Sequence, residues 1–159
     1  MSKYPVIIGR SETIDIVGHA NGIPAKIDTG AFRSAIHGSN IRVVKRKDGS
    51  QVLKADLLGH PLSKTTIPME FDRFEKVVVT NSFGHKESRY EVRLRVKLGP
   101  KVVTTLFTLA DRSNNFFPIL VGRKLLKRRY FVDSSQSGLS NRAELKKTFK
   151  GDLPDDFVD

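Results

Sequence analysis

The sequence predicts a single all-β domain, and three observations carry that prediction. Short apolar segments recur along most of the chain, glycine-containing pairs separate them, and one longer segment alternates between apolar and charged residues. This pattern is typical of antiparallel strands joined by hairpins. The length of 159 residues fits one domain, because domains commonly run from about 100 to 200 residues.

The candidate strands are short and are bounded by turn signals. They cover residues 6–8, 13–17, 23–27, 41–44, 77–80, 90–97 and 102–109. The turn signals are Asn21-Gly22, Asp48-Gly49, Phe83-Gly84 and Gly99-Pro100. The clearest strand is YEVRLRVKL at residues 90–98, in which every second residue is apolar and faces a core while the charged residues face water. One short helix is expected at the end of ILVGRKLLKR, residues 119–128.

The domain is expected to span residues 1–133, followed by a polar tail over residues 134–159. The tail is interpreted as partly disordered or lying on the surface, because it offers little apolar surface to bury. The apolar run at residues 6–8 is too short for a signal-peptide core or a membrane span. A cytoplasmic protein without a membrane partner is therefore expected. The absence of cysteine excludes a disulfide framework, a thiolate nucleophile and a cysteine zinc site.

The net charge of +11 raises the possibility of a polyanionic partner. Residues 124–129, KLLKRR, concentrate part of that charge. Nucleic acid is the less favoured partner, because the phenylalanines occupy core-like positions and no aromatic and basic stacking motif is present.

A carboxylate, a hydroxyl and a glycine follow the third candidate strand, in AKIDTGA at residues 25–31. An aspartic peptidase needs two carboxylates that share a proton, so that one activates water while the other protonates the carbonyl oxygen. Thr29 can stiffen the turn through a bond to the backbone, and Gly30 lets the chain fold sharply beside Asp28. Taken alone the triplet is a weak signal, since a simple turn at the end of a strand has the same composition.

A second motif gives the triplet its meaning. PILVGRKLL at residues 118–126 follows Asp28 by about ninety residues. The two motifs resemble, in order and spacing, those of retropepsins, the single-lobe aspartic peptidases of retroviruses. The longer pattern resembles a bacterial retropepsin-like family that carries the label ATP-dependent zinc protease and is often encoded beside RimK-type glutamate ligases. The matching segments are IDTGAFRSAIH, Asp48-Gly49, NSFGHKESRYEVR, LADRS, FPILVGRKLL and FVD.

The resemblance implies a retropepsin-like acid-protease barrel with one lobe per chain and a short helix after the VGRKLL motif. It makes Asp28 the catalytic carboxylate, with Thr29 and Gly30 as its supports. Asp133 lacks the following glycine and is interpreted as a structural residue or ion-pair partner. The second carboxylate should therefore come from another copy, since a two-fold homodimer places identical groups face to face.

The resemblance also predicts residues that contact substrate. Residues 77–84 and 87–95 resemble the flap hairpin that closes over the cleft in retropepsins, with Phe83 and Gly84 near its tip. Ala31 follows the triplet, and Arg33, Arg89 and Arg112 would edge a cationic cleft suited to carboxylate-rich peptides. The alternative is that the three arginines belong to a solvated face. In retroviral enzymes the arginine that corresponds to Arg123 pairs with an acidic residue after the triplet, which this chain lacks.

Neither zinc nor ATP is expected as a cofactor. The four histidines, at positions 19, 37, 60 and 85, form no H-E-x-x-H motif, and no G-x-x-x-x-G-K-[ST] loop is present. His37 could form a hydrogen bond near the site or be an ordinary core histidine. Any dependence on ATP would come from a partner, such as an ATP-grasp glutamate ligase.

Three functions remain open at this point. The first is a homodimeric aspartic endopeptidase that acts on peptides or proteins, with polyglutamylated tails as one candidate substrate. The second is an inactive module of the same fold that binds acidic peptides. The third is a basic domain that binds nucleic acid.

Overall fold

The computed structural model describes residues 4–81 and 83–140. Over that part of the chain it contains eleven strands and one short helix. The strands are β1 (Val6–Gly9), β2 (Ser11–Ile16), β3 (Ala20–Ile27), β4 (Ser34–Lys45), β5 (Gln51–His60), β6 (Ser63–Phe71), β7 (Glu75–Thr80), β8 (Lys86–Leu98), β9 (Lys101–Ala110), β10 (Ile119–Val121) and β11 (Tyr130–Asp133), with helix α1 (Arg123–Leu126) between the last two.

Six of these strands close into a barrel. Their order is β10, β3, β2, β8, β9 and β4, and a further pairing between β10 and β4 joins the two ends. The interior is filled by the apolar faces of these strands, including Ile14, Ile36 and Phe107, which are fully buried. The closed barrel and the short helix confirm the fold class that the sequence predicts.

Strand β10 lies between β3 and β4 in the barrel and pairs with both of them. It runs parallel to β3, with Val121 opposite Ile27, and antiparallel to β4, with Ile119 opposite Ile36. Strands β3 and β4 are consecutive in the chain, so β10 separates two neighbours and lies beneath the loop that connects them. That loop contains the Asp-Thr-Gly triplet.

Two hairpins extend outward from the barrel. Strand β7 pairs only with the first half of β8, from Glu75 opposite Glu91 to Thr80 opposite Lys86. Strands β5 and β6 continue the sheet beyond β4, and the sequence pattern predicts neither of them. A register shift between Leu58 and His60 breaks the alternation of β5, and Pro68 fits β6 because that strand lies at the sheet edge.

The first and last strands pair with each other in parallel, outside the barrel. Tyr130 at the start of β11 donates its hydroxyl to Leu98 O at 2.8 Å, and burial raises the pKa of this tyrosine to about 12. This hydrogen bond attaches the β1 and β11 pair to the end of β8.

The predicted tail begins at Ser134, and its first residues lie against the barrel. Gly138 N donates to Ser11 O at 2.8 Å. The buried carboxylate of Glu12 accepts from Leu139 N at 2.9 Å and from the main chain and hydroxyl of Ser140. The rest of the predicted tail lies outside the described residues. Among the described residues, no helix has the length and hydrophobicity that a bilayer crossing requires.

Candidate active site

Asp28 lies directly after β3, at the point where the chain leaves the barrel wall. Its main-chain N–H donates to Val121 O at 2.9 Å, so the pairing between β3 and β10 continues one residue into the loop. The side chain is half-buried, whereas Thr29 and Gly30 are exposed. The carboxylate is therefore fixed at its backbone and remains accessible from the outside.

Two hydrogen bonds within the loop hold Asp28, one at its carboxylate and one at its main chain. Gly30 N donates to Asp28 Oδ1 at 2.9 Å, and Ala31 N donates to Asp28 O at 3.3 Å. The first of these bonds holds the carboxylate in one orientation. Thr29 contributes its carbonyl oxygen, which accepts from Arg123 Nη1 at 3.1 Å.

Gly122 lets the segment after β10 pack closely under the loop. A Cβ atom at this position would lie 2.5 Å from Arg33 O, closer than real Cβ contacts come. Its N–H donates to Ser34 Oγ at 3.0 Å in a buried hydrogen bond. The next two residues, Arg123 and Lys124, donate their N–H groups to Ala31 O and Phe32 O at 2.8 and 3.0 Å. We call the segment made of β10, Gly122 and the first residues of α1 the bed of the loop.

A groove of about 360 Å³ lies beside the loop. Its lining residues come from the loop, β4, β7, β8, β9, β10 and the segment after β9; they are Gly30, Ala31, Phe32, Arg33, Ala35, Val78, Val79, Thr80, Asn81, Arg89, Thr108, Arg112 and Leu120. The structure thus gathers Gly30, Ala31 and all three candidate arginines around one space. Phe83 and Gly84 lie at the tip of the β7 and β8 hairpin, and they are not part of this lining.

The three arginines have different surroundings. Arg33 Nη1 lies 2.7 Å from Glu91 Oε2, a side chain that is only 3% exposed. Arg89 Nη2 lies 3.0 Å from the exposed Glu87 carboxylate, and its Nε is buried without a hydrogen-bond partner among the described residues. Arg112 is buried and donates Nε–H to Phe117 O at 3.0 Å.

His37 is buried on β4, and its Nδ1 accepts the N–H of Arg112 at 2.8 Å. Its ring lies 5.6 Å from the ring of His60, in an edge-on arrangement. Burial lowers the pKa of His37, His60 and Arg112 lower it further, and the nearby carboxylate of Asp111 acts in the opposite direction. The sequence left two roles open for His37, a hydrogen bond near the site or an ordinary core histidine. In the structure His37 is buried and forms a hydrogen bond to Arg112, which lines the groove.

Two buried residues of this region were not predicted. Glu91 falls on the charged side of the alternating segment, yet it is only 4% exposed and accepts a hydrogen bond from Arg33. His60 lies on β5, a strand that the sequence pattern does not predict. No local signal marks either residue, since both are buried by segments that are distant in the chain.

A second, wider depression lies on the other side of the loop and measures about 780 Å³. Its lining residues are Thr29, Phe32, Arg123, Lys124, Leu126, Lys127, Tyr130, Phe131 and Val132. Phe32 and Phe131 are 52% and 63% exposed, and the Lys124 ammonium lies 5.2 Å from the centre of the Phe32 ring. We call this surface the Phe32–Phe131 depression.

A comparison with known families matches residues 7–143 to the RimB-like family, described as "Retropepsin-like aspartic endopeptidase RimB". The chain belongs to the RimB-like family. The match covers the loop, its bed and the groove, and it confirms the family that the sequence motifs indicate.

The curated relatives of this chain are longer proteins. The chain is 33% identical over 118 residues to a "Probable alpha-L-glutamate ligase" of Desulfotalea psychrophila, which covers 70% of this chain and 25% of that protein. A protein of the same name from Shewanella halifaxensis is 30% identical over 158 residues, covering 94% of this chain and 33% of the relative. The chain thus spans a quarter to a third of these relatives.

A solved structure shares the fold of this RimB-like chain. It is a protein of unknown function (DUF785) from Legionella pneumophila, with 27% sequence identity and a TM-score of 0.68. The alignment covers 86% of this chain and 98% of the Legionella chain. The aligned part of this chain therefore corresponds to nearly the whole of that chain.

Asp133, the other aspartate considered from the sequence, has a local structural role. Asp133 ends β11 and is exposed, and its Oδ1 accepts from Ser135 N and Oγ at 3.0 and 2.6 Å. These hydrogen bonds lower the pKa of Asp133. Across residues 4–81 and 83–140, no group of three or more histidine or acidic side chains comes together as a metal site would require. The expectation that the chain uses neither zinc nor ATP stays a prediction.

Proposed function

We propose that the chain is an aspartic endopeptidase whose active form is a homodimer. The observation that carries this proposal is the Asp28 loop, which is fixed on its bed while the carboxylate remains accessible beside a groove. In the proposed reaction one Asp28 carboxylate removes a proton from water, whose oxygen attacks the carbonyl carbon, and the other Asp28, which is protonated, donates its proton to the carbonyl oxygen. The C–N bond then breaks: the amine leaves with the proton taken from water, and the carbonyl re-forms as its proton returns to the second Asp28.

The second carboxylate comes from a second copy of the chain in this proposal. The sequence contains one Asp-Thr-Gly triplet, and a two-fold axis beside it would bring two Asp28 side chains together. The Phe32–Phe131 depression supports this arrangement, because it exposes two large aromatic side chains next to Thr29. Exposed apolar surface of this kind is typical of an interface between subunits.

The proposed substrate is a peptide segment rich in glutamate. Arg33, Arg89 and Arg112 line the groove, and guanidinium groups bind carboxylates through paired hydrogen bonds. The names of the relatives point in the same direction, since a glutamate ligase makes glutamate-containing products. Because this chain spans only part of those relatives, we do not propose ligase activity for it. We propose instead a functional link between this chain and such a ligase.

The central test is the Asp28→Asn variant, assayed on an oligoglutamate peptide and on a matched oligoglutamine peptide. Loss of the carboxylate should abolish cleavage, a decrease of at least about a thousandfold for a group of this kind, while the circular dichroism spectrum stays native. The matched control is Asp133→Asn, which removes an exposed carboxylate from the end of β11. Cleavage that survives in Asp28→Asn, or that a chelator abolishes in the wild type, would contradict the mechanism.

Sedimentation velocity over a micromolar range tests the assembly separately. A dimer would provide the second carboxylate. A strict monomer that binds oligoglutamate without cleaving it would instead favour the second candidate function, a module that binds acidic peptides. The single triplet per chain is the observation that keeps this second candidate open.

A further inference from the structure

Two buried imidazoles hold the main chain of Arg112 where the segment after β9 enters the groove. On one side, His37 Nδ1 accepts Arg112 N–H at 2.8 Å. On the other, His60 Nε2 lies 3.1 Å from Arg112 O and 2.8 Å from Asn115 O. The two rings come from neighbouring strands, β4 and β5, and contact each other edge to face.

These hydrogen bonds require both rings to be neutral. A main-chain N–H can only donate, so His37 Nδ1 carries no proton while the Arg112 bond exists. Leu62 N donates to His60 Nδ1 at 3.1 Å, so the proton of His60 is on Nε2, from which it is donated to the two carbonyl oxygens.

The hydrogen bonds fix a side chain of the groove through its backbone. The Arg112 side chain is buried and is directed by its bond from Nε to Phe117 O. A main chain held from both sides leaves the guanidinium little freedom to change its direction. His37 is not itself among the residues that line the groove, so its effect on a ligand would pass through Arg112, which lines the groove.

The groups that face His37 come from two directions. His60 on β5 and Arg112 on the segment after β9 both oppose a positive charge on His37, in addition to its burial. The carboxylate of Asp111 favours that charge, and its Oδ1 lies 3.9 Å from His37 Nδ1 with the side chain 78% exposed. A protonated His37 would therefore find an acceptor in Asp111 and lose its bond to Arg112.

We infer that His37 is a positioning residue for Arg112 and that its protonation releases the main chain of Arg112, which weakens carboxylate binding in the groove. The proton is taken up from solvent at His37 Nδ1. Protonated Nδ1 is a hydrogen-bond donor, so it can no longer accept the Arg112 N–H. The part of this inference that concerns ligands rests on the proposed function; the part that concerns Arg112 does not.

The direction of the pH effect follows from the lowered pKa of His37. The native pKa lies below the usual value of 6.5, so the unfolded chain takes up the proton first as the pH falls. The contribution of neutral His37 is fully present above pH 6.5 and is lost as the pH falls from there through the native pKa. Carboxylate binding should weaken over the same acid range.

The first experiment needs no ligand and follows the Arg112 amide by ¹⁵N NMR from pH 8 to pH 5, in the wild type and in His37→Asn. The Asn side-chain oxygen can accept the Arg112 N–H but cannot take up a proton. In the wild type the chemical shift and the exchange rate of the Arg112 amide should change with pH as the His37 ring titrates. In His37→Asn this pH-dependent change should be absent from both quantities. His19→Asn, an exposed histidine in the turn before β3, is the matched control and should behave as the wild type.

An Arg112 amide that ignores the titration of His37, or that changes equally in His37→Asn, would overturn the inference. If His37→Asn does not fold, as judged from its amide spectrum, His37→Gln takes its place, because it also offers an oxygen acceptor that cannot be protonated.

The second experiment measures binding of the two peptides by the uncleaving Asp28→Asn protein between pH 7.5 and 5.5. Glutamate stays ionised there, since its pKa is about 4.3. Affinity for oligoglutamate should fall by up to about tenfold for each pH unit below the His37 pKa, and affinity for oligoglutamine should not. Binding of oligoglutamate that does not change with pH, in a protein whose Arg112 amide titrates, would overturn the link to ligands. No binding at pH 7.5 would count against the proposed substrate, and the amide experiment would still decide the role of His37.

Discussion

The two sides of the groove differ in how they are held. The Asp28 loop lies on a bed that holds it through several main-chain hydrogen bonds and through the buried bond from Gly122 N–H to Ser34 Oγ. The opposite side is the hairpin of β7 and β8, in which β7 pairs with residues 86–91 of β8 before β8 continues into the barrel beside β9. At its tip Phe83 is 84% exposed, and the turn is held by Asn81 Oδ1, which accepts from Phe83 N and His85 N at 2.9 Å.

On the proposed function, the side that lies on the bed carries the catalytic carboxylate and the hairpin covers the substrate. A catalytic carboxylate needs a position that is set before the substrate arrives. A hairpin that covers a substrate needs little packing at its tip, because segments that open and close come from the less stable parts of a protein. Each of the following substitutions tests whether stability is distributed between the two sides in this way.

The largest effect is expected at the bed, in Gly122→Ala. The added methyl group would lie 2.5 Å from Arg33 O and 3.0 Å from Ala31 O, both main-chain atoms that cannot move aside independently. Overpacking of this kind should lower the free energy of unfolding by about 2–3 kcal/mol, as measured by urea denaturation. Cleavage should fall with it, since the displaced segment carries the Asp28 loop.

Gly84→Ala is the matched control on the hairpin. Gly84 has a φ angle of 81° and no atom near the position of an added Cβ. The cost is then only that of a left-handed backbone conformation, about 1 kcal/mol. If Gly84→Ala lowered the free energy of unfolding as much as Gly122→Ala, the distinction between the two sides would be contradicted.

An intermediate effect is expected where the two sides meet, in Glu91→Gln. Glu91 lies at the base of the hairpin and pairs with Arg33 of the loop, and Lys124 Nζ lies 3.9 Å from the same carboxylate oxygen. Removing one partner of a buried ion pair leaves the other charge uncompensated. Arg33 keeps 29% of its side chain exposed, so the loss should be about 2 kcal/mol, less than for a fully buried pair.

Asp72→Asn provides the comparison on the surface. The Arg46–Asp72 pair has the same 2.7 Å separation, but its side chains are 42% and 74% exposed. Its loss should change the free energy of unfolding by less than about 0.5 kcal/mol. Equal effects of Glu91→Gln and Asp72→Asn in urea denaturation would mean that burial does not strengthen the contact between loop and hairpin.

The smallest global effect is expected at the hairpin tip, in Asn81→Ala. This substitution removes the acceptor of two exposed main-chain N–H groups. Hydrogen exchange at Phe83 and His85 should become faster, while the free energy of unfolding changes by less than about 0.5 kcal/mol. Unchanged exchange at both amides would mean that Asn81 does not hold the turn.

Much of the fold could be predicted because the sequence signals were local. The alternation of residues 90–98 became the inner half of β8, and the turn at Phe83-Gly84 became the tip of a hairpin. Strands β5 and β6 had no such signal. Both Leu57 and Leu58 of β5 are buried, and Leu58 has a positive φ angle of 67°, so the period of two on which a strand prediction depends is absent.

The site was predictable in its motifs but not in its contacts. Asp28, Gly30 and the arginines could be named because the motifs that contain them are short and resemble those of a family. The pairing of Arg33 with Glu91, and the contact of His37 with Arg112, join residues far apart in the chain. Such contacts depend on the register of several strands, which residue spacing does not determine.

The position of β10 has a consequence for the order in which the protein forms. Its pairing with β3 joins segments from opposite ends of the barrel sequence, and closing so long a stretch of chain is entropically costly and slow. While Val121 is still on the ribosome or unpaired, the Asp28 N–H lacks its acceptor and the loop lacks its bed. A nascent chain therefore carries the aspartate before the residues that fix the geometry around it have been synthesised.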